Sequence, residues 1–91
     1  MPEGKLTPEQ VRQSLQGLAG WELKGEEITK QFKFKDFSEA LAFVNKVGQM
    51  AEAADHHPDI DIRYNKVRLM LSTHSAGGLT EKDFSLARKI G

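Results

Sequence analysis

The residue pattern predicts an α+β two-layer sandwich, a four-stranded antiparallel sheet with helices packed on one face, in the order α-β-β-α-β-β-α. Helical apolar periodicity occurs in three separate segments, each preceded by a capping sequence. Between them lie two pairs of short alternating segments, and the turn within each pair is short enough to require antiparallel neighbours. Three helices are too few to cover both faces of a sheet, so they share one.

Leu6-Thr7-Pro8-Glu9-Gln10-Val11 opens the first helix: Thr7 caps, Pro8 suits the first turn, Gln10 completes a capping box and Leu6 staples onto Val11. Val11, Leu15 and Leu18 form its apolar stripe, which Gly17 and Gly20 end. Trp21 to Lys24 and Glu27 to Lys35 read as strands joined at Gly25-Glu26, with Ile28, Phe32, Phe34 and Lys30 on one face. Asp36-Phe37-Ser38-Glu39 caps the longest element, a helix from Phe37 to Ala54. Its apolar residues occupy two faces, Phe37, Leu41, Val44 and Ala51 on one and Phe43, Val47, Met50 and Ala54 on the next. One sheet covers only one of them. This predicts a second partner, most simply another copy in a homodimer or homotetramer, unless the first or last helix covers that face. After Pro58 the period becomes two: Ile60, Ile62 and Tyr64 share a face, Asn65-Lys66 makes the turn, and Val67, Leu69 and Leu71 return. Leu79-Thr80-Glu81-Lys82-Asp83-Phe84 then repeats the capping box and opens a final helix with Phe84, Ala87 and Ile90 inward.

A chain of 91 residues supports a single domain, residues 1–91, with one modest core. With 38% hydrophobic and 29% charged residues it is globular rather than disordered. The 13 Lys and Arg balance the 13 Asp and Glu, so no global field draws the chain to nucleic acid or to an anionic membrane. Absence of cysteine excludes disulfides, thiolate nucleophiles and Cys-ligated zinc, and makes the cytoplasm the expected location. The longest apolar run, Ala40 to Val44, is too short to span a bilayer, and Met1-Pro2-Glu3-Gly4 does not resemble a leader.

All three histidines, His56, His57 and His74, fall within 19 residues and bracket the second hairpin. With Asn65-Lys66 as the two-residue turn, facing positions sum to 131, which sets His57 opposite His74 and Arg63 opposite Arg68, with Asp61 a candidate partner for the arginines. Glu52 and His56 are four apart on one helix face, so Glu52 can orient His56. Pro58 disfavours helical geometry at His57 and lets the adjacent histidines diverge. Imidazole carries both protonation forms near neutral pH, which suits a dehydration: an acid protonates the departing hydroxyl while a base removes the proton that completes the double bond. No metal is required. A zinc site of Glu52, His56, His74 and water is the alternative, although no HExxH pattern accompanies it. The bland reading is three histidines that merely bond to nearby carbonyls. The capping box already accounts for Asp83, and Lys30 to Lys35, flanked by acids, reads as a solvated strand.

The residues Glu52-Ala53-Ala54-Asp55-His56-His57-Pro58, Tyr64-Asn65-Lys66-Val67, Leu71-Ser72-Thr73-His74, Gly78-Leu79-Thr80 and Asp83 resemble the pterin-4a-carbinolamine dehydratases, also called 4a-hydroxytetrahydrobiopterin dehydratases. Lys35-Asp36-Phe37 before the long helix matches as well, and only the first helix is generic. The resemblance implies a four-stranded sheet with helices on one face, dimers formed through the sheet and tetramers through the long helix. It implies a hydro-lyase that converts 4a-hydroxytetrahydropterin to quinonoid dihydropterin. That reaction recycles the cofactor of aromatic amino-acid hydroxylases without a metal or prosthetic group.

Carried over by position, His56, His57, His74 and Glu52 resemble the family's catalytic set. Asp55, His56 and His57, and Ser72, Thr73, His74 and Ser75, resemble its two pterin-lining segments, with backbone around Thr73 meeting the pyrimidine portion. Asp83 resembles a supporting acid. Animal members carry tryptophan where Ile60 stands and cysteine where Ala76 stands, so Ile60 offers no ring for stacking. Those members also serve as dimerisation cofactors of a homeodomain transcription factor, so a binding module is one alternative. Action on another pterin, such as one related to molybdopterin, is the other.

Overall fold

Side-chain caps set the start of all three α-helices. Thr7 Oγ1 accepts from the Gln10 backbone N–H (3.2 Å) and Gln10 Oε1 from that of Thr7 (2.9 Å), which opens α1, Pro8–Leu15. Asp36 accepts from Glu39 N–H and opens α2, Phe37–Ala54, while the Glu39 carboxylate reaches back one residue further than in a capping box, to Lys35 N–H. Thr80 and Asp83 complete the box of α3, Glu81–Ile90. The computed structural model describes residues 4–91, so Met1-Pro2-Glu3 of the opening segment lies outside it. No helix among the described residues is long and apolar enough to cross a membrane.

The strands are β1 (Glu22–Lys24), β2 (Glu27–Lys33), β3 (Asp59–Arg63) and β4 (Lys66–Leu71), all antiparallel and ordered β1-β2-β4-β3 across the sheet. Alternation sends Ile28, Val67, Leu69 and Leu71 to the helix side, where they are fully buried with Val47 of α2 and Phe84 and Ala87 of α3. Lys30 falls on that same side by parity. Its ammonium sits over the Phe32 ring, 4.9 Å from the centroid, and donates to the carbonyls of Ala19 (3.0 Å) and Gly91, so the charge is satisfied at the core's edge. Among the described residues, the other face of the sheet carries no helix. There the Arg68 guanidinium donates to Thr29 Oγ1 and Gln31 Oε1, both at 3.1 Å.

The second hairpin departs from the expected register. The two turn residues are Tyr64 and Asn65, Arg63 faces Lys66, and facing positions sum to 129 rather than 131. Asn65 decides this. Its side-chain amide donates to Phe34 O (2.9 Å) and its carbonyl accepts from Phe34 N–H (2.8 Å), which docks the turn onto the end of β2 and leaves Tyr64 left-handed (φ 54°) and exposed. The two registers differ by two, so each side chain keeps its face in both, and hydrophobic pattern alone could not choose between them. Arg68 consequently faces Asp61 rather than Arg63.

The long helix buries Ala40, Val47 and Ala51 against the sheet and α3, with Phe43, Val44 and Met50 partly covered. Of the first-named face Ala51 is buried, but Phe37 and Leu41 remain 46% and 42% exposed, so the chain's own helices leave that end of the face uncovered. Because Leu69 is central to the sheet and fully buried, Leu69→Ala should lower unfolding free energy by about 2–5 kcal/mol in urea titration, through lost transfer energy and the cavity left behind.

Candidate active site

The end of α2 distributes the paired histidines. Asp55 takes a left-handed conformation (φ 51°) as C-cap, its N–H bonding back to Ala51 and Glu52, and His56 N–H bonds to Ala51 O (3.1 Å). The helix therefore stops at Ala54, and residues 56–57 leave it in opposite directions. His56 turns inward and its Nε2 lies 2.5 Å from Asp83 Oδ1; His57 turns back and its Nε2 lies 2.6 Å from Glu52 Oε2. The expected Glu52–His56 contact is thus a Glu52–His57 contact, because the left-handed residue breaks the helical spacing on which an i, i+4 pair depends.

Asp83 does much more than cap. Its side chain is fully buried: Oδ1 accepts from His56, while Oδ2 accepts from Thr80 N–H and from Thr73 Oγ1, both at 2.9 Å. Since the one Thr73 hydroxyl proton goes to the carboxylate, the 2.8 Å contact between the two threonine hydroxyls is donated by Thr80. Thr73 also pairs with Gly78 through backbone bonds in both directions, closing the loop that holds the 3-10 turn His74–Ala76. One buried carboxylate thereby fixes the end of α2, the start of α3 and the loop carrying His74. Carboxylates only accept, so both His56 and His57 present Nε2–H to their acids.

His57 and His74 share a cleft of about 350 Å³ at one end of the open sheet face. The predicted facing of these two residues across the ladder does not occur, because His74 lies beyond the last rung, in the 3-10 turn; the loop rather than the ladder brings it to His57's cleft. Ser72 and Met70 of the β4 side line the cleft, Ser72 with its hydroxyl donated to Glu26 O (2.9 Å). Of the other expected residues, Glu52 stands behind His57, Thr73 is buried in the Asp83 network, and Asp55 and Ser75 are exposed without lining the cleft. His56 borders a separate cleft with Ala54, Ser85 and Leu86. The zinc combination does not assemble, since Glu52 and His56 go to different partners, and no group of three His, Cys, Asp or Glu among the described residues is arranged to hold a metal ion.

Lys24, Glu27 and Asp59 also line the cleft and were not among the expected site residues. They are brought there by the sheet order, which sets β2 beside β4 and so Glu27 beside Ser72. Strand patterns do not specify which strands pair, so the sequence carried no signal for these residues.

Residues 4–91 match the family model described as Pterin 4 alpha carbinolamine dehydratase. The chain belongs to this family. Its relatives include a protein of Acidobacterium capsulatum, 57% identical over 86 residues and 94% of each chain, and one of Thermomicrobium roseum, 51% identical over 94% of this chain and 92% of the other; both are named "Putative pterin-4-alpha-carbinolamine dehydratase". Among solved structures, the "transcriptional coactivator/pterin dehydratase" of Brucella melitensis superposes with a TM-score of 0.91 at 44% identity, covering 96% of this chain and 95% of that one. A pterin dehydratase-like protein identified as a RuBisCO assembly factor shares the fold, with a TM-score of 0.62 at 21% identity over 77% of this chain and 81% of that one. The family and the names of these relatives support carbinolamine dehydratase activity, with a pterin as substrate.

Thr73→Val keeps shape but deletes the hydroxyl between Asp83 and Thr80. It should cost about 1–3 kcal/mol in denaturant titration and speed amide exchange selectively in residues 73–78.

Proposed function

We propose that this carbinolamine dehydratase family member acts on 4a-hydroxytetrahydropterin by histidine acid–base catalysis, releasing quinonoid dihydropterin and water. The shared cleft of His57 and His74 carries the proposal: two imidazoles, one of them held by a carboxylate, border a space large enough for a flat bicyclic ring. His57 keeps its proton on Nε2 against Glu52, so its lone pair lies on Nδ1, and that nitrogen serves as the base that takes the proton from the ring nitrogen beside C4a. His74 has no hydrogen bond to its ring among the described residues and serves as the acid for the departing hydroxyl. The C4a–O bond breaks, the nitrogen–hydrogen electron pair forms the C4a–nitrogen double bond, and one water leaves. Glu52 orients His57. His56, tied to Asp83, acts as a positioning residue for the His74 loop. Ser72 and the backbone around Thr73 meet the pyrimidine, with Asp55 and Ser75 at the periphery. The reaction would return an oxidised pterin to the reductive arm of tetrahydrobiopterin recycling in the cytoplasm.

A binding role beside catalysis is the second reading. It is favoured by the uncovered Phe37 and Leu41 on α2, a surface suited to a second copy or to another helical partner, and by the paired description of the Brucella protein.

Dehydration of freshly generated 4a-hydroxy-6-methyltetrahydropterin should be accelerated by the purified chain and unaffected by a chelator. His57→Ala and His74→Ala should each lower kcat by about 100-fold or more, and Glu52→Gln by about tenfold. Full turnover in both histidine variants would refute the acid–base assignment.

A further inference from the structure

We infer that Glu27 is the residue that selects the 2-amino-4-oxo edge of the substrate ring, an inference that rests on the dehydratase reading above. Glu27 begins β2 and lines the cleft shared by His57 and His74. It is half-buried, yet no hydrogen bond or ion pair reaches its carboxylate within the described residues. Lys24, its cross-strand partner, forms no ion pair with it, whereas its neighbour Glu26 is engaged by Lys5 at 3.2 Å. A partly desolvated carboxylate that no protein group partners is unfavourable, and a ligand that supplies two donors removes that cost.

The aminopyrimidine of a pterin supplies such a pair. Its ring N–H and the adjacent amino N–H are coplanar and parallel, and match the two oxygens of a carboxylate as a guanidinium does. Position supports this orientation. The β2–β4 register, extended one residue past Ile28–Leu71, sets Glu27 beside Ser72, next to the strand-end backbone proposed to meet the same edge. His57 enters from the β3 side, two strand spacings or about 10 Å across the sheet from β2. A bicycle anchored at Glu27 therefore carries its ring-junction carbon over β4, toward His57 and under the loop of His74. Glu27 thus binds substrate and takes no part in proton transfer.

The test compares 7,8-dihydropterin with 7,8-dihydrolumazine, in which an oxo group replaces the amino group, by fluorescence titration of the wild type, Glu27→Gln and Glu22→Gln. Glu22 lies on the same sheet face outside the cleft. Wild type and Glu22→Gln should favour the pterin by about ten- to a hundredfold, and Glu27→Gln should reduce this preference to within about threefold. In turnover assays Glu27→Gln should raise KM while leaving kcat within about threefold. An unchanged preference in Glu27→Gln, or an equal loss in Glu22→Gln, would overturn the assignment. A shift instead in discrimination between 6-methyl and 6-dihydroxypropyl substrates would overturn it too, by assigning Glu27 to the side-chain end. Dehydration by the wild type separates the failures: turnover with unaltered preference sinks Glu27 alone, and absence of both turnover and pterin binding sinks the dehydratase reading with it.

Discussion

The buried carboxylate of Asp83 is the constraint on which the site depends. A fully desolvated charge is tolerated only when its lone pairs are occupied, and here an imidazole, a hydroxyl and a backbone amide occupy them. Those three donors belong to the end of α2, the strand-end Thr73 and the start of α3. Satisfying one charge therefore brings together three segments that are distant in sequence. The loop with His74 is small and exposed, and its fixed placement comes from Thr73 beneath it.

The two adjacent histidines illustrate how a local backbone state divides labour. A left-handed Asp55 ends α2 one residue before them, so His56 enters the interior and His57 faces the open side of the sheet. Had the helix continued, helical spacing would have set His56 against Glu52. Instead each histidine has its own acid, one buried and one exposed, and only His57 reaches the cleft. The cleft thus brings together a histidine held by an exposed carboxylate and one carried on a loop pinned from the core.

The open face of the sheet is where the chain gathers its polar side chains. With all helices on one side, the other side remains free for polar side chains: the arginine network around Arg68 at the turn end, and the cleft at the histidine end. The same asymmetry leaves Phe37 and Leu41 of α2 uncovered on the opposite layer, away from the histidine cleft.

The sequence by itself determined the elements. Thr7, Asp36 and Thr80 cap where their patterns indicated, the long helix runs from Phe37 to Ala54, and alternation assigned Ile28, Val67, Leu69 and Leu71 to the buried face. These are short-range properties, governed by hydrogen bonds within a turn and by side-chain periodicity. The spaced pattern from Glu52 to Asp83 was equally legible, because family membership depends on residue types at fixed intervals. Tertiary structure decided the rest: which histidine meets which acid, that His74 reaches the cleft through a loop, and that Glu27 and Asp59 border it. The hairpin register belongs to the same class. Registers summing to 129 and 131 bury the same side chains, and the choice fell to Asn65 and its two hydrogen bonds with Phe34, a residue 31 positions away, just past the end of a strand that only the folded sheet brings alongside.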